Sequence, residues 1–224
     1  MPRDRKLWNS AERIVMALRC ARSDASVPRL PLQHQSDLVR LQRLHEKARQ
    51  RGWRAAAQRV RQALHTRSQW FVNDLQRFVN ESRPEPDEPL ATVADIYRDV
   101  LALMPEFRYV HVDRPETTVT AVTDRIVLEE IDLGPFEIIW NWSQLHQDRE
   151  LRVVPQEPNC ARGDDDVCHP HIRGTTLCLG DAEIPLRRAF HAGRLYDAFL
   201  IVRQVLQTYN ASRPYVALSD WLGD

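Results

Sequence analysis

The sequence lacks a long apolar run. No stretch of its 224 residues approaches the roughly 20 consecutive apolar residues that a helix needs to span a bilayer. The first residues, Met1 to Lys6, are charged and have no apolar signal core behind them, so nothing in them indicates export. With 43% hydrophobic and 28% charged residues, the composition is that of an ordinary globular protein. We therefore expect a soluble cytoplasmic protein with no membrane partner.

Cysteine is scarce and follows no repeated spacing. The sequence holds four cysteines, Cys20, Cys160, Cys168 and Cys178, and the paired Cys-x2-Cys motif of zinc knuckles is absent. This pattern does not indicate a disulfide framework, so we expect four reduced thiols in a cytosolic protein.

The chain has no net charge, but its charges are unevenly distributed. Residues 1–82 contain 17 Lys and Arg against 7 Asp and Glu, a net charge of +10, and residues 83–224 contain 14 against 24, a net charge of −10. This asymmetry predicts two modules with different partners, or two surfaces that attract each other. The arginines of the basic module are spread around helical faces and are not gathered beside aromatic residues. We therefore expect a solvated helical surface there and no nucleic-acid partner.

Residues 1–82 are predicted to form an all-helical extension that docks a partner. Apolar residues recur at helical spacing in three stretches, and Gly52 is a plausible helix stop. The proline-rich segment 82–87 is the best linker, and the charge balance changes sign there. The predicted domains are therefore 1–82 and 83–224.

The second module combines helical and strand patterns. A helix is predicted over 90–104, followed by β-branched, alternating stretches at 109–112, 117–122, 126–131, 136–142 and 151–154. These strands predict an antiparallel meander with one face packed on helices. A polar loop over 156–166 and a helix over 195–210 complete the order, which is that of an α+β domain.

The motif His169-Pro170-His171-Ile172, followed by Cys178-Leu179, is the most informative part of the chain. It places a conformationally fixed turn, two imidazoles and a thiol within ten residues. Cysteine is intrinsically nucleophilic near neutral pH and can carry an acyl group as a thioester. The turn and the thiol therefore make Cys178 the candidate nucleophile.

These residues and the order of elements resemble the ubiquitin-conjugating enzymes. That family has a His-Pro-Asn turn after its meander, and its acceptor cysteine follows shortly afterwards and precedes a leucine. His169, Pro170, Ile172, Cys178 and Leu179 match this pattern at a spacing one residue shorter than usual. The stretch 131–138 also looks like the segment that leads into the family's third strand. The chain is most similar to divergent, compact bacterial members from ubiquitin-like conjugation operons.

The resemblance implies a conjugating fold, a thioester mechanism without a cofactor, and three kinds of partner. Cys178 would accept a ubiquitin-like modifier from an activating enzyme and pass it to a protein target. His171 stands where the family has its asparagine, so it would donate a hydrogen bond to the oxyanion. His169 would fix the turn, and Asp181 would orient or deprotonate an incoming amine.

Two other functions are compatible with the same residues. Cys160, Cys168, His171 and Cys178 are enough soft ligands for a tetrahedral zinc, although their spacing is unusual for such a site. A non-catalytic adaptor similar to the RWD domains would have the same fold without using the cysteine. A Cys-His hydrolase is disfavoured, because no glycine-lined elbow precedes the helix and no third orienting group is evident.

Overall fold

The computed structural model describes residues 4–23, 33–81, 88–145, 147, 149–211 and 214–221. The chain divides into two compact units, one comprising Met1–Asp24 with Glu88–Asp224 and the other comprising Ala25–Asp87. In the described ranges, no helix is both long and apolar enough to cross a membrane.

The described residues form six α-helices and eight strands. The helices are α1 (Arg5–Ser23), α2 (Gln33–Gln50), α3 (Arg54–Glu81), α4 (Val93–Leu103), α5 (Glu183–Ala192) and α6 (Leu195–Leu206). The strands are β1 (Tyr109–Asp113), β2 (Thr118–Val122), β3 (Ile126–Leu128), β4 (Ile131–Gly134), β5 (Phe136–Asn141), β6 (Leu151–Pro155), β7 (Ile172–Arg173) and β8 (Thr176–Leu177). Short 3-10 helices cover Gly180–Ala182 and Leu218–Trp221.

The main sheet is a four-stranded antiparallel meander in the order β1-β2-β5-β6. Its central strand β5 buries Phe136, Ile138 and Trp140, which alternate with half-buried residues. The Trp140 ring stacks on Phe190 of α5, with 5.0 Å between the ring centroids. This arrangement confirms the mixed helix-and-sheet class and the predicted meander with helices on one face.

The predicted single strand over 126–131 is wrong. The structure has a separate hairpin there, β3 paired with β4, because Glu129 and Glu130 both adopt positive φ angles of 45° and 73°. Two consecutive positive φ angles are those of a type I′ hairpin turn, whose twist matches that of the flanking strands. The turn reverses the chain after Leu128.

Helix α1 belongs to the larger unit, whereas the predicted division assigns it to the N-terminal extension. Its apolar stripe is buried in the same core cluster as α4, the sheet and α6. Ile14 and Leu18 are only 1% and 2% exposed. The sequence shows the apolar stripe of α1, but closeness along the chain groups α1 with α2 and α3. In the structure α1 packs on α4, about 80 residues away.

Helices α4 and α6 confirm the helices predicted over 90–104 and 195–210, although both are shorter than predicted. α4 begins at a capping box, in which Thr92 and Asp95 exchange hydrogen bonds between side chain and backbone. The carboxylate of Asp99 in α4 accepts a hydrogen bond from the backbone N–H of Tyr196 at the start of α6, and burial raises the pKa of this carboxyl.

Helix α5 was not predicted as a separate element. Gly193, with a φ of 78°, ends it and separates it from α6.

The smaller unit contains the hairpin of α2 and α3. Gly52 lies in the connection with a φ of 70°, which confirms it as the predicted stop of α2. Contrary to the predicted distribution of charge, two arginines here lie against exposed tryptophans. The guanidinium carbon of Arg51 is 5.0 Å from the ring centroid of Trp53, and that of Arg67 is 4.8 Å from the ring centroid of Trp70.

Candidate active site

The motif at 169–172 forms a tight turn. The N–H of Ile172 donates to the carbonyl of His169 at 2.9 Å, and Pro170 occupies the second position of the turn, where its fixed φ is favourable. The N–H of Tyr215 donates to the carbonyl of Pro170 at 2.8 Å. The turn is therefore held both internally and by the segment after α6.

His169 is the first residue of this turn and is fully buried. Its Nε2 lies 2.9 Å from the carbonyl oxygen of Leu206 at the end of α6, and its Nδ1 accepts the N–H of His171 at 3.1 Å. Since Nδ1 accepts, the proton must lie on Nε2, which donates to Leu206. Phe136 of β5 meets the ring in an edge-on contact. His169 thus links the loop to α6 and to the sheet.

His169 is held as a neutral imidazole. Burial lowers its pKa from 6.5 to about 4, with a further lowering by His171 and an opposing effect from the hydrogen bond to Leu206. Between these two pH values the unfolded chain binds more protons than the folded chain. Stability is therefore full above about pH 6.5 and falls as the pH is lowered towards 4, by about 3 kcal/mol in all.

Replacement of His169 is expected to flatten this pH dependence. His169→Gln keeps an N–H donor for Leu206 and removes the titrating group, so its free energy of unfolding should change less between pH 6.5 and 4 than that of the wild type. Urea unfolding at several pH values measures this, with His111→Gln, an exposed residue of β1, as the matched control. Equal slopes for His169→Gln and the wild type would contradict the assignment.

His171 is the third residue of this turn and is 6% exposed. Its Nε2 accepts the backbone N–H of Asn210 at 3.3 Å, which places the ring proton on Nδ1. Burial lowers the pKa of His171, so the ring is neutral at pH 7. In His171, Nε2 is therefore occupied as an acceptor, and Nδ1–H is the group that can donate a hydrogen bond.

Cys178 is tied to the turn through the backbone. β7 and β8 form a hairpin in which Ile172 pairs with Leu177, and the N–H of Cys178 continues the ladder by donating to the carbonyl of His171 at 2.8 Å. His171 itself lies in the turn and Cys178 lies just after β8, so this hydrogen bond joins their backbones at the open end of the hairpin.

The thiol of Cys178 is free and half-buried. It lies two residues before the 3-10 helix Gly180–Ala182, which leads directly into α5. Within the part of the chain that the structure describes, no hydrogen bond to its Sγ is present. Asp181 is exposed, and the described contacts do not connect it with the thiol or with either histidine. The site therefore consists of a half-buried thiol between β8 and the 3-10 helix, with no basic side chain among the described residues hydrogen-bonded to it.

Cys160 and Cys168 form a disulfide, contrary to the expectation of four reduced thiols. They flank a polar loop in which the N–H of Ala161 donates to the carbonyl of Val167 at 2.8 Å, so the two ends of the loop meet. This pairing also argues against the zinc site, because it removes two of the four proposed ligands. No group of three or more His, Cys, Asp or Glu side chains suited to a metal occurs among the described residues.

The sequence did not reveal which residues surround the histidines. Leu206 is the last residue of α6, and Tyr209 and Asn210 follow it; the sequence indicated only core packing and a helix stop there. No sequence pattern linked Tyr215 to the histidine motif. A search of family models, of curated proteins and of solved structures returned no match to this chain.

Proposed function

We propose that the protein is a conjugating enzyme of the ubiquitin-like type, in which Cys178 carries the C-terminal acyl group of a modifier protein as a thioester. The observation that supports this most is the hydrogen bond between the N–H of Cys178 and the carbonyl of His171. It fixes a free thiol against a His-Pro turn, as the sequence resemblance implies. The order of α4, the meander, the loop and α6 is also the order expected for such an enzyme.

The first step is an exchange of thioesters. The thiol of Cys178 loses its proton to the solvent, and the thiolate attacks the carbonyl carbon of the modifier's thioester on an activating enzyme. A new S–C bond forms, the old one breaks, and the cysteine of the activating enzyme leaves as a thiolate. The two thioesters have nearly equal energy, so the step needs neither a cofactor nor a strong base. This fits a thiol with no basic side chain hydrogen-bonded to it among the described residues.

The second step transfers the acyl group to an amine of the target. The amine nitrogen attacks the carbonyl carbon, the C–S bond breaks, and Cys178 regains its thiolate while the amine loses a proton to the solvent or to Asp181. The oxyanion that forms needs donors in place. The neutral ring of His171 offers Nδ1–H, and the first N–H groups of the 3-10 helix after Cys178 lack acceptors within that helix. The exposed position of Asp181 allows an amine to reach it.

Replacement of His171 tests its role in this step. His171→Ala should still form the thioester but should discharge it to free lysine about tenfold to a hundredfold more slowly, because one oxyanion donor is lost. His171→Asn, which restores a side-chain N–H donor, should recover part of the rate. Single-turnover discharge of the preloaded protein measures both. Unchanged discharge by His171→Ala would remove this residue from the mechanism.

The experiment that tests the function as a whole is a charging assay. The protein is mixed with an activating enzyme and a ubiquitin-like protein encoded beside it, with and without ATP, and is analysed on a non-reducing gel. An ATP-dependent band that disappears with a thiol reductant is expected. If the activating enzyme is charged and no band forms, the conjugating function is wrong.

A non-catalytic adaptor is the second candidate. The observation that favours it is that the thiol of Cys178 is half-buried beside the buried Leu177. A small hydrophobic residue would suit such a position equally well. An adaptor would form no adduct in the charging assay. Its wild-type form and the Cys178→Ala variant would bind the charged activating enzyme or the target with the same affinity.

A further inference from the structure

The hairpin of α2 and α3 has almost no interior of its own. Of the side chains that the structure describes in these two helices, Ala48 alone is buried. The residues of α3 that are half-buried, including Ala57, Val60, Leu64 and Phe71, recur at the three- and four-residue spacing of a helix-packing seam. One seam between two helices buries little apolar surface, and most helical stability comes from packing of this kind.

Many large apolar side chains of the hairpin are exposed in addition to this seam. They are Val39, Leu44, Trp53, Trp70, Val72, Leu75 and Val79. Contiguous exposed apolar surface with a polar rim is typical of a protein-interaction site. Aliphatic side chains predominate here, and both tryptophan faces are approached by an arginine, so the surface differs from the open stacking platforms that bind single-stranded nucleic acid.

A basic groove runs along this hairpin. Between the helices it is lined by Arg40, Leu41, Arg59, Ala63 and Arg67. A second concave surface lies on α2 itself, shares Arg40 with the groove and includes Val39, Arg43, Leu44 and Lys47. One acidic residue, Asp37, is among the residues that line the groove. Residues 33–81 as a whole hold 10 Lys and Arg against 4 Asp and Glu, a net charge of +6.

We propose that this basic groove binds an acidic amphipathic helix of a partner protein. The apolar face of such a helix would cover Leu41 and Ala63 between α2 and α3, and its carboxylates would meet Arg40 of α2 and Arg59 and Arg67 of α3. A third helix would convert the single seam into a three-helix core, which the hairpin alone lacks. A second copy of the hairpin fits less well, because it would bring two arginine-lined grooves together in a low-dielectric interface. This inference does not depend on the proposed enzymatic function.

The test uses a synthetic helix as the probe. A fluorescein-labelled peptide of about 20 residues spans about 30 Å. It carries leucine and alanine on one face and glutamate on the other, and a second peptide has lysine in place of glutamate. Fluorescence anisotropy with the full chain is expected to show saturable binding of the glutamate peptide, weakening as salt is raised. The lysine peptide should not bind.

Two charge-matched double variants locate the site. Arg40→Glu with Arg59→Glu reverses one residue of the groove on each helix and should weaken binding at least about tenfold. Arg49→Glu with Arg61→Glu makes the same change in net charge outside the groove and should leave binding within about twofold. Circular dichroism checks that both variants keep their helical content.

Three results would overturn the proposal. The first is equal loss of binding in the two double variants, which would mean that net charge alone attracts the peptide. The second is tighter binding of a fluorescein-labelled oligothymidine than of the glutamate peptide, which would make the groove a nucleic-acid site. The third is a dimer in sedimentation velocity that the peptide does not dissociate, which would mean that a second copy occupies the groove.

Discussion

Cys178→Ser is expected to form an adduct with the modifier that survives a thiol reductant and is cleaved by hydroxide. The hydroxyl of serine replaces the thiol at the same position on the loop, so an oxyester forms in place of a thioester. An alkoxide is a poorer leaving group than a thiolate, and the adduct therefore accumulates. Cys178→Ala has no nucleophile and should show no adduct. A gel run with and without reductant measures all three forms.

The other free thiol supplies the control for this prediction. Cys20 is a free, exposed thiol near the end of α1, so Cys20→Ser tests whether exposure alone lets a thiol accept the modifier. It should be charged like the wild type. If Cys20→Ser lost the adduct while Cys178→Ala kept it, the acceptor would be Cys20, and the role assigned to Cys178 would be wrong.

Ile14→Ala is expected to destabilise the protein by about 4 kcal/mol, within the usual range of roughly 2 to 5 kcal/mol for a buried isoleucine. Ile14 is 1% exposed and belongs to the core cluster that includes Ile96 and Val100 of α4. Removal of its side chain leaves a cavity that the packed helices cannot fill. Urea unfolding, followed by the near-ultraviolet circular dichroism of the buried tryptophans, measures the loss.

The control for this variant comes from the other unit. Leu44→Ala removes a similar number of carbon atoms from an exposed position of α2 and should change stability by less than about 1 kcal/mol. A small effect of Ile14→Ala, comparable with that of Leu44→Ala, would mean that α1 is an appendage and that the predicted boundary at residue 82 is the better description.

Periodicity in the sequence was sufficient to find the main sheet. The alternation of Phe136, Ile138 and Trp140 against Glu137 and Asn141 predicted β5, and the burial of β5 alternates in the same way. Such a pattern reflects the two faces of a strand and needs no information about distant residues. The turn at Glu129 and Glu130 was missed, because neither residue is one of the glycines or asparagines that usually mark positive φ.

Long-range contacts explain most of what the sequence did not reveal. The position of α1 depends on packing against α4, and the surroundings of His169 depend on Leu206, more than 30 residues away. The disulfide of Cys160 and Cys168 depends on the conformation of a polar loop with no periodic pattern. The motif predicted which residues are close to the thiol along the chain. It could not predict that His171 uses Nε2 to accept a hydrogen bond from Asn210.

Mapping of the acyl group on the charged protein tests the central claim most directly. The protein is charged with the activating enzyme, the modifier and ATP, digested at low pH without reductant, and analysed by tandem mass spectrometry. The proposed function predicts the C-terminal acyl group of the modifier on the sulfur of Cys178 and on no other residue. An activating enzyme that becomes charged while Cys178 remains a free thiol would contradict it.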